Sequence, residues 1–161
     1  MDYELRPAVE SDREFCFRLN EACFRARIEQ IRGWNEAAER RDAAAQFRAG
    51  SDSIVLVDGR AVGHVAIEEH HDRVELRMLL LAPDAQRRGI GSSLIRGVIE
   101  RARARQLPMI LWVTDWNVGA IRLYRRFGFE VVEQGWDAAK QVRKLRMATP
   151  PSRERAPRPR V

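Results

Sequence analysis

Sulfur, histidine and long apolar runs are all scarce in this chain, and each shortage removes a class of function. The two cysteines, Cys16 and Cys23, are spaced for one face of a helix rather than as a CxxC pair, so they are expected to be reduced core thiols. Three histidines are present, and none has metal-ligand spacing. His70 and His71 share a turn with Asp72, while His64 follows Gly63 inside a strand, where it either lines a pocket or sits satisfied in the core. No metal is expected. No apolar run approaches the roughly 20 residues that span a bilayer, and the opening "MDYELRPAVESD" is too acidic and too broken for a targeting peptide. A cytoplasmic protein with no membrane partner is expected.

What is present is charge. Of the 161 residues, 45% are apolar and 32% charged, which suits one well-buried core. The net charge is +6, yet its distribution argues against nucleic acid. Four arginines against one glutamate lie in "ATPPSRERAPRPRV", a segment rich in proline and without apolar periodicity. One domain over residues 1–147 and a disordered basic tail over 148–161 are therefore expected. The "RARAR" run is the wet side of an amphipathic helix, and no nucleic-acid motif accompanies it, so no specific nucleic-acid partner is expected.

"YELRP" reads as a short strand ended by Pro7. Ser11 and Glu14 are placed to form a capping box for a helix that carries Phe15, Leu19, Ala22 and Cys23 inward. The pattern pauses at Gly33, and "WNEAAERRDAAAQF" resumes it as a second helix. "SIVLV" and "AVGHVAIEE" flank Asp58-Gly59, a pair that supplies the positive φ a tight hairpin needs. "VELRMLLL" adds a strand to this antiparallel meander. Strand and helix then alternate: a helix with Leu94, Ile95, Val98, Ile99 and Ala102 on one face, the buried strand "PMILWVT", a helix capped by Asn117 and stopped by Gly128, and the strands "FEVVE" and "KLRM". The fold class is α/β, a mixed sheet with helices on both faces.

One stretch departs from this packing logic. "QRRGIGSSL" joins the strand ending at Leu81 to the next helix, and it drops side chains where positive charge gathers. Free N–H groups at a helix start, approached through Gly89 and Gly91, make a place for a phosphate-bearing ligand, with Gln86, Arg87 and Arg88 as donors at its rim. A Walker loop would need Gly-Lys-Ser/Thr, which is missing, and a Rossmann turn would need a third glycine where Leu94 stands. A glycine turn with no ligand is the plain alternative.

A second stretch, "NVGAIRLYRRFGF", narrows the choice. "LLLAPDAQRRGIGSSL" resembles the acetyl-CoA motif of the GNAT superfamily of N-acetyltransferases, Gln/Arg-x-x-Gly-x-Gly/Ala after a strand. "NVGAIRLYRRFGF" is similar to that family's Asn-x-x-Ala-x-x-Leu-Tyr-x-x-x-Gly-Phe signature at every specified position. The resemblance is strong over residues 53 to 133, compatible from 1 to 52 and absent in the tail. It implies a mostly antiparallel central sheet whose strand "LLL" splays from "LWVT". It also implies acetyl-CoA as co-substrate, and an N-acetyltransferase acting by direct attack in a ternary complex on a primary amine, a small molecule or else a peptide or protein amino group. A non-catalytic acyl-CoA-binding module stays open.

The resemblance also assigns residues. Cofactor contacts fall to Leu79, Leu81, Gln86, Arg87, Arg88, Gly89, Ile90, Gly91, Ser92, Asn117 and Tyr124. The main-chain N–H near Leu79 polarises the thioester carbonyl, and Leu81 pairs with the pantetheine arm. Tyr124 is the family's general acid toward the leaving thiolate, with an ordinary buried aromatic as its plain reading. Glu75, four residues before Leu79 on one strand, shares its face by alternation and is the candidate general base; pairing with Arg73 or Arg77 is the alternative. For the acceptor pocket, Glu29, Gln30 and Trp34 form a polar-aromatic cluster at the helix break, or Trp34 simply plugs a helix junction.

Overall fold

Seven strands form one sheet in the order β1-β2-β3-β4-β5-β7-β6, and the computed structural model describes residues 2–150 of the chain. From residue 151 onward the expected basic tail lies outside the described residues. Strands β1 (Glu4–Pro7), β2 (Ser53–Val57), β3 (Arg60–Glu69) and β4 (Val74–Leu81) pair antiparallel in sequence order. The hairpin between β2 and β3 turns on Asp58 (φ 50°) and Gly59 (φ 74°), both in the left-handed region that such a turn requires. Strand β5 (Met109–Thr114) joins β4 in the one parallel pairing among the described residues, and β7 (Val142–Ala148) and β6 (Glu130–Asp137) complete the sheet antiparallel.

Helices α3 (Ile90–Ala104) and α4 (Val118–Arg126) cover one face. Helix α3 buries Ile90, Leu94, Ile95, Val98, Ile99 and Ala102, the stripe its 3.6-residue period demands, against Val62, Val65, Leu111 and Phe129. Each of these large side chains contributes about 1.5–3 kcal/mol by leaving water, so Ile95→Ala is a change of several kcal/mol. Helices α1 (Arg13–Arg32) and α2 (Glu36–Gln46) cover the opposite face, where Cys16 and Phe47 pack with Ile54 and Ala8. No helix among the described residues is long and apolar enough to cross a membrane.

Two local expectations are corrected. The start of α1 is not organised by Ser11 and Glu14. Asp12 takes that place, accepting the Val9 N–H at 2.8 Å while Arg6 donates to both its oxygens at 2.8 Å. The Asp12 carboxylate is also held by the Arg6 guanidinium, a support that a box built on Ser11 and Glu14 would lack. The inward face of α1 is also turned from the expected one: Cys16, Phe17, Leu19 and Ile28 are buried, whereas Ala22 is exposed. Gly33 (φ 79°) ends α1 as expected, and Asn35 caps α2 by accepting the Ala38 N–H at 3.0 Å.

Candidate active site

A gap in the sheet organises the site. Strands β4 and β5 are in register only from Val74↔Met109 to Leu76↔Leu111, while β4 stays paired with β3 as far as Gly63↔Leu81. At the parting, β4 carries one extra residue, Arg77, between the pairs Ala66↔Met78 and Ile67↔Leu76. Such a bulge bends the strand that contains it. Past the bulge, the Ala82 N–H donates to the Val62 carbonyl on β3 at 2.7 Å. Alternation along a strand then turns the N–H groups of Leu81 and Leu79 toward the gap. A cavity of about 240 Å³ runs through the opening, and Leu79, Asn117, Tyr124, His64 and Phe24 are among the residues that line it.

The glycine-rich turn stands at the surface beside this gap. Arg87 (φ 59°) and Gly89 (φ 84°) take left-handed backbone, and α3 begins at Ile90. The first intrahelical bond runs from the Ser93 N–H to the Gly89 carbonyl at 3.0 Å. The N–H groups of Ile90, Gly91 and Ser92 are thus left at the positive end of a 15-residue helix. A Cβ on Gly89 would meet nothing within 4 Å, so the space over the turn is open, and its positive φ is what the protein itself requires of a glycine there. At Gly91 a Cβ would make only ordinary contact with Leu123 at 3.7 Å and Leu81 at 3.8 Å. Packing alone would accept alanine at Gly91. Arg87 and Arg88 are exposed, the latter donating weakly to the Asp84 carbonyl at 3.4 Å. Gln86 does not reach out as a rim donor. Its Nε2 donates inward to the Leu81 carbonyl at 2.9 Å, which also receives the Cys23 thiol at 3.3 Å, so Gln86 braces the turn against β4.

Asn117 caps α4, accepting the Ala120 N–H at 3.3 Å, and it also borders the cavity. Tyr124 is buried and packs on Phe129 with ring centroids 5.7 Å apart, again from a position bordering the cavity. Burial, with no hydrogen bond to favour the phenolate, pushes its phenol up to about 12. The hydroxyl therefore keeps its proton throughout the neutral range.

Glu75 is not where simple alternation put it. Val74 and Leu76 pack with the α3/α4 core, and so do Leu79 and Leu81, because the extra residue at Arg77 shifts the phase of the strand. Glu75 therefore falls on the α1/α2 face, away from the face of the Leu79 side chain. It borders a second, more open trench of about 700 Å³ rather than the inner cavity. There it lies 3.6 Å from His70 Nε2 and 3.9 Å from Arg73. Glu68, His70 and Glu75 bring their donor atoms within 4.8 Å of one another, but Arg48, Arg73 and Arg77 answer the carboxylates.

The acceptor cluster expected at Glu29, Gln30 and Trp34 is not brought to the cavity. Glu29 pairs with Arg25 at 3.0 Å, Gln30 accepts from Arg27 at 3.3 Å, and both are exposed. Trp34 donates to Glu36 at 2.9 Å and packs near Phe17 at 6.3 Å, so it serves as the plug of the helix junction. The cavity instead takes every fourth residue of α1: Cys16, Asn20, Phe24, Ile28 and Arg32. That i, i+4 stripe was the available signal in the sequence. Trp116 completes this wall edge-on to Phe24 at 5.6 Å, and its Nε1 is sealed without a partner. The cations around the cavity are matched: Arg32 bonds Glu39 at 2.6 Å and the Lys140 carbonyl at 2.8 Å, Lys140 lies 3.3 Å from Asp42, and Lys144 lies 3.2 Å from Asp137.

A parted pair of parallel strands, with main-chain amides facing the gap and an open helix start beside it, forms a cleft with room for an extended ligand that carries an anionic group. Residues 13–129 match the model of the acetyltransferase (GNAT) family, and the chain belongs to that family. It is 34% identical over 85 residues to the peptidyl-lysine N-acetyltransferase YiaC of Escherichia coli, covering 53% of each chain. It is 31% identical over 115 residues to an L-methionine sulfoximine/L-methionine sulfone acetyltransferase of Pseudomonas aeruginosa, covering 63% of this chain and 66% of the relative. The shared stretch thus spans only about half to two thirds of the length of these two relatives. The fold resembles that of the PaiA N-acetyltransferase of Thermoplasma acidophilum in complex with coenzyme A, with a TM-score of 0.69, 16% identity, and coverage of 92% of this chain and 99% of that one.

Proposed function

We propose that this chain transfers the acetyl group of acetyl-CoA to a primary amine of a small molecule, by direct attack in a ternary complex. The observation that carries the reading is the parting of β4 and β5 beyond Leu76↔Leu111, which leaves the Leu79 and Leu81 amides facing a gap bordered by Tyr124 and Asn117. When bound, acetyl-CoA supplies an activated acyl group. The N–H groups of Ile90, Gly91 and Ser92 hold its phosphates, with Arg87 and Arg88 adding charge, and the Leu81 N–H and Asn117 orient the pantetheine arm. The Leu79 N–H donates to the carbonyl oxygen as negative charge grows there, an effect of roughly 3 kcal/mol for one such donor. Tyr124, protonated at neutral pH, delivers its proton to the departing sulfur.

Direct attack is favoured over an acyl-enzyme by the state of the one thiol in the inner cavity. Burial pushes Cys16 up to about 12, so it is a thiol and a poor nucleophile. The small inner volume supports a small acceptor. A peptide amino group is the second reading, favoured by the open trench and by the exposed Trp112 and Trp136 beside it. The test is thiol release from acetyl-CoA against a panel of amines, polyamines, aminoglycosides, amino acids and peptides. Turnover with small amines supports the first reading, and turnover with peptides alone replaces it by the second. Tight CoA binding with no release from any acceptor leaves an acyl-CoA-binding module.

A further inference from the structure

The transfer steps above leave the proton of the incoming ammonium without a destination, and the polar group best built to receive it is on β3. His64 is buried in mid-strand, directly across from Leu80 of β4 and Ile54 of β2 on the α1/α2 face. Its Nε2 lies 2.8 Å from Asp52 Oδ2. Asp52 is buried as well, and it accepts the Arg48 N–H at 3.0 Å and an Arg77 guanidinium N–H. Arg77 in turn donates to the Gln46 carbonyl. An Asp52 that accepts on every side accepts from His64 too, which fixes the imidazole proton on Nε2 and leaves the lone pair on Nδ1. The buried polar atoms without a partner among the described residues are His70 Nε2, Arg77 Nε and Trp116 Nε1. With Nε2 committed to Asp52, Nδ1 is the ring's remaining nitrogen, and the ring borders the inner cavity.

We infer that His64, oriented by Asp52, takes the proton of the acceptor ammonium through water in the inner cavity. This inference rests on the reading of the cleft as an amine acetyltransferase site. The geometry separates the two proton-handling groups: Tyr124 enters the cavity with the α3/α4 core, and His64 enters it from the α1/α2 face. Strand β3 is one strand spacing, about 4.8 Å, from β4, which exceeds one hydrogen bond, so a water bridges the distance. At about 30 Å³ per water, a cavity of about 240 Å³ holds such a bridge beside a small amine.

The surroundings set the imidazole for this task. Burial lowers its pKa below the ordinary histidine value, opposed by Asp52 and Asp12 and reinforced by Arg77. The Phe47 ring lies 6.0 Å away, and the uncharged Cys16 thiol of α1 and Gln46 amide of α2 border the same cavity. His64 is therefore neutral and able to accept at pH 7. In the step, the ammonium gives one proton through water to Nδ1, and the amine nitrogen attacks the thioester carbonyl. The N–C bond forms, the C–S bond breaks, and sulfur takes the Tyr124 proton. The second nitrogen proton restores Tyr124, and the imidazolium releases the first to solvent.

The experiment measures kcat/KM against pH for the full chain, His64→Asn and Asp52→Asn, using an acceptor found in the amine panel, with acetyl-CoA affinity by calorimetry. His64→Asn is expected to keep acetyl-CoA affinity and to lose about 100-fold in kcat at pH 7. That deficit is expected to shrink as pH approaches ~10, where an alkylamine arrives deprotonated. Asp52→Asn removes the charge that favours the imidazolium, so it is expected to move the acid limb of the profile to lower pH with a smaller loss. A deficit in His64→Asn that is equal at pH 7 and pH 9 overturns the inference, since a structural defect is blind to the amine's protonation. If His64→Asn does not fold, an unshifted acid limb in Asp52→Asn overturns it as well. A wild type that binds CoA but releases no thiol with any amine overturns the transfer reading, and the inference falls with it.

Discussion

The two faces of the split sheet offer a ligand different kinds of chemistry. On the α3/α4 side the groups available are main-chain amides: Leu79 and Leu81 at the gap, and Ile90, Gly91 and Ser92 at the helix start. On the α1/α2 side they are side chains held in pairs, with Arg32 against Glu39, Asp52 against His64 and Arg77, and Lys140 against Asp42. Backbone donors are fixed by the fold and indifferent to neighbouring side chains, so they suit a ligand that never changes. Side-chain pairs can be exchanged one at a time, so they suit a partner that differs from one protein to the next. Cofactor binding is therefore expected to depend on the first face, and stability and proton transfer on the second.

The largest effect is expected at the glycine turn. Gly89→Asp places a Cβ at φ 84° and a carboxylate over the helix start. The strain is worth about 1–2 kcal/mol. Loss of two charge-assisted bonds, at about 1.5–3 kcal/mol each, weakens CoA binding by about 100-fold or more. Calorimetry showing unchanged CoA affinity would remove the turn from the site.

Tyr124→Phe comes next. The ring stays packed on Phe129, so acetyl-CoA affinity and melting temperature are expected to hold while kcat falls by about 100-fold. Full turnover in this variant would reduce Tyr124 to a core aromatic and leave the face as a binding surface only.

The other face is expected to answer in stability. Glu39→Ala strips the partner from Arg32 in a buried pair. Breaking fully sealed pairs is worth about 3–5 kcal/mol, and here about 2 kcal/mol is expected, because Arg32 keeps the Lys140 carbonyl and some water. Urea unfolding measures it; an unchanged midpoint would mean that α1, α2 and the β6–β7 turn are held together by packing alone.

The smallest effect concerns pH. Burial lowers the pKa of His64 in the folded protein, so below about 6.5 the unfolded chain takes up a proton that the folded one resists. Stability is then present above that pH and declines as pH falls below it, by at most about 1.4 kcal/mol per unit for one group. His64→Asn is expected to flatten this slope. A slope unchanged in the variant would assign it to Asp12, whose carboxyl is held below the usual range by Arg6 and whose contribution fades only at lower pH.

Much of the glycine turn and of the capped helix α4 was legible because their requirements are local. A glycine at positive φ, an asparagine at a helix cap and a tyrosine two turns into that helix each fix a spacing along the chain, and Gly89, Asn117 and Tyr124 stand where those spacings put them. Gln86 escaped this logic because its partner, the Leu81 carbonyl, becomes available only when β4 is bent. Glu75 escaped for the same cause: alternation assumes an unbroken strand, and the extra residue at Arg77 belongs to a pairing with β3 that no local pattern announces. The rotation of α1 was likewise hidden. Its arginines and glutamates pair with one another on the outer face, and choosing among its apolar residues required knowing where the gap in the sheet would fall.

By itself the sequence determined the element order, the hairpin at Asp58-Gly59, the amphipathic face of α3 and the glycine turn, because hydrophobic period, caps and positive-φ positions act over a few residues. Tertiary structure alone decided which face Glu75 takes, which stripe of α1 meets the cavity, and that Asp52, His64 and Arg77 form one buried cluster. Those outcomes depend on strand pairing and on burial. A carboxylate, an imidazole and a guanidinium separated along the chain become one hydrogen-bonded cluster only when strand pairing and α2 bring them together.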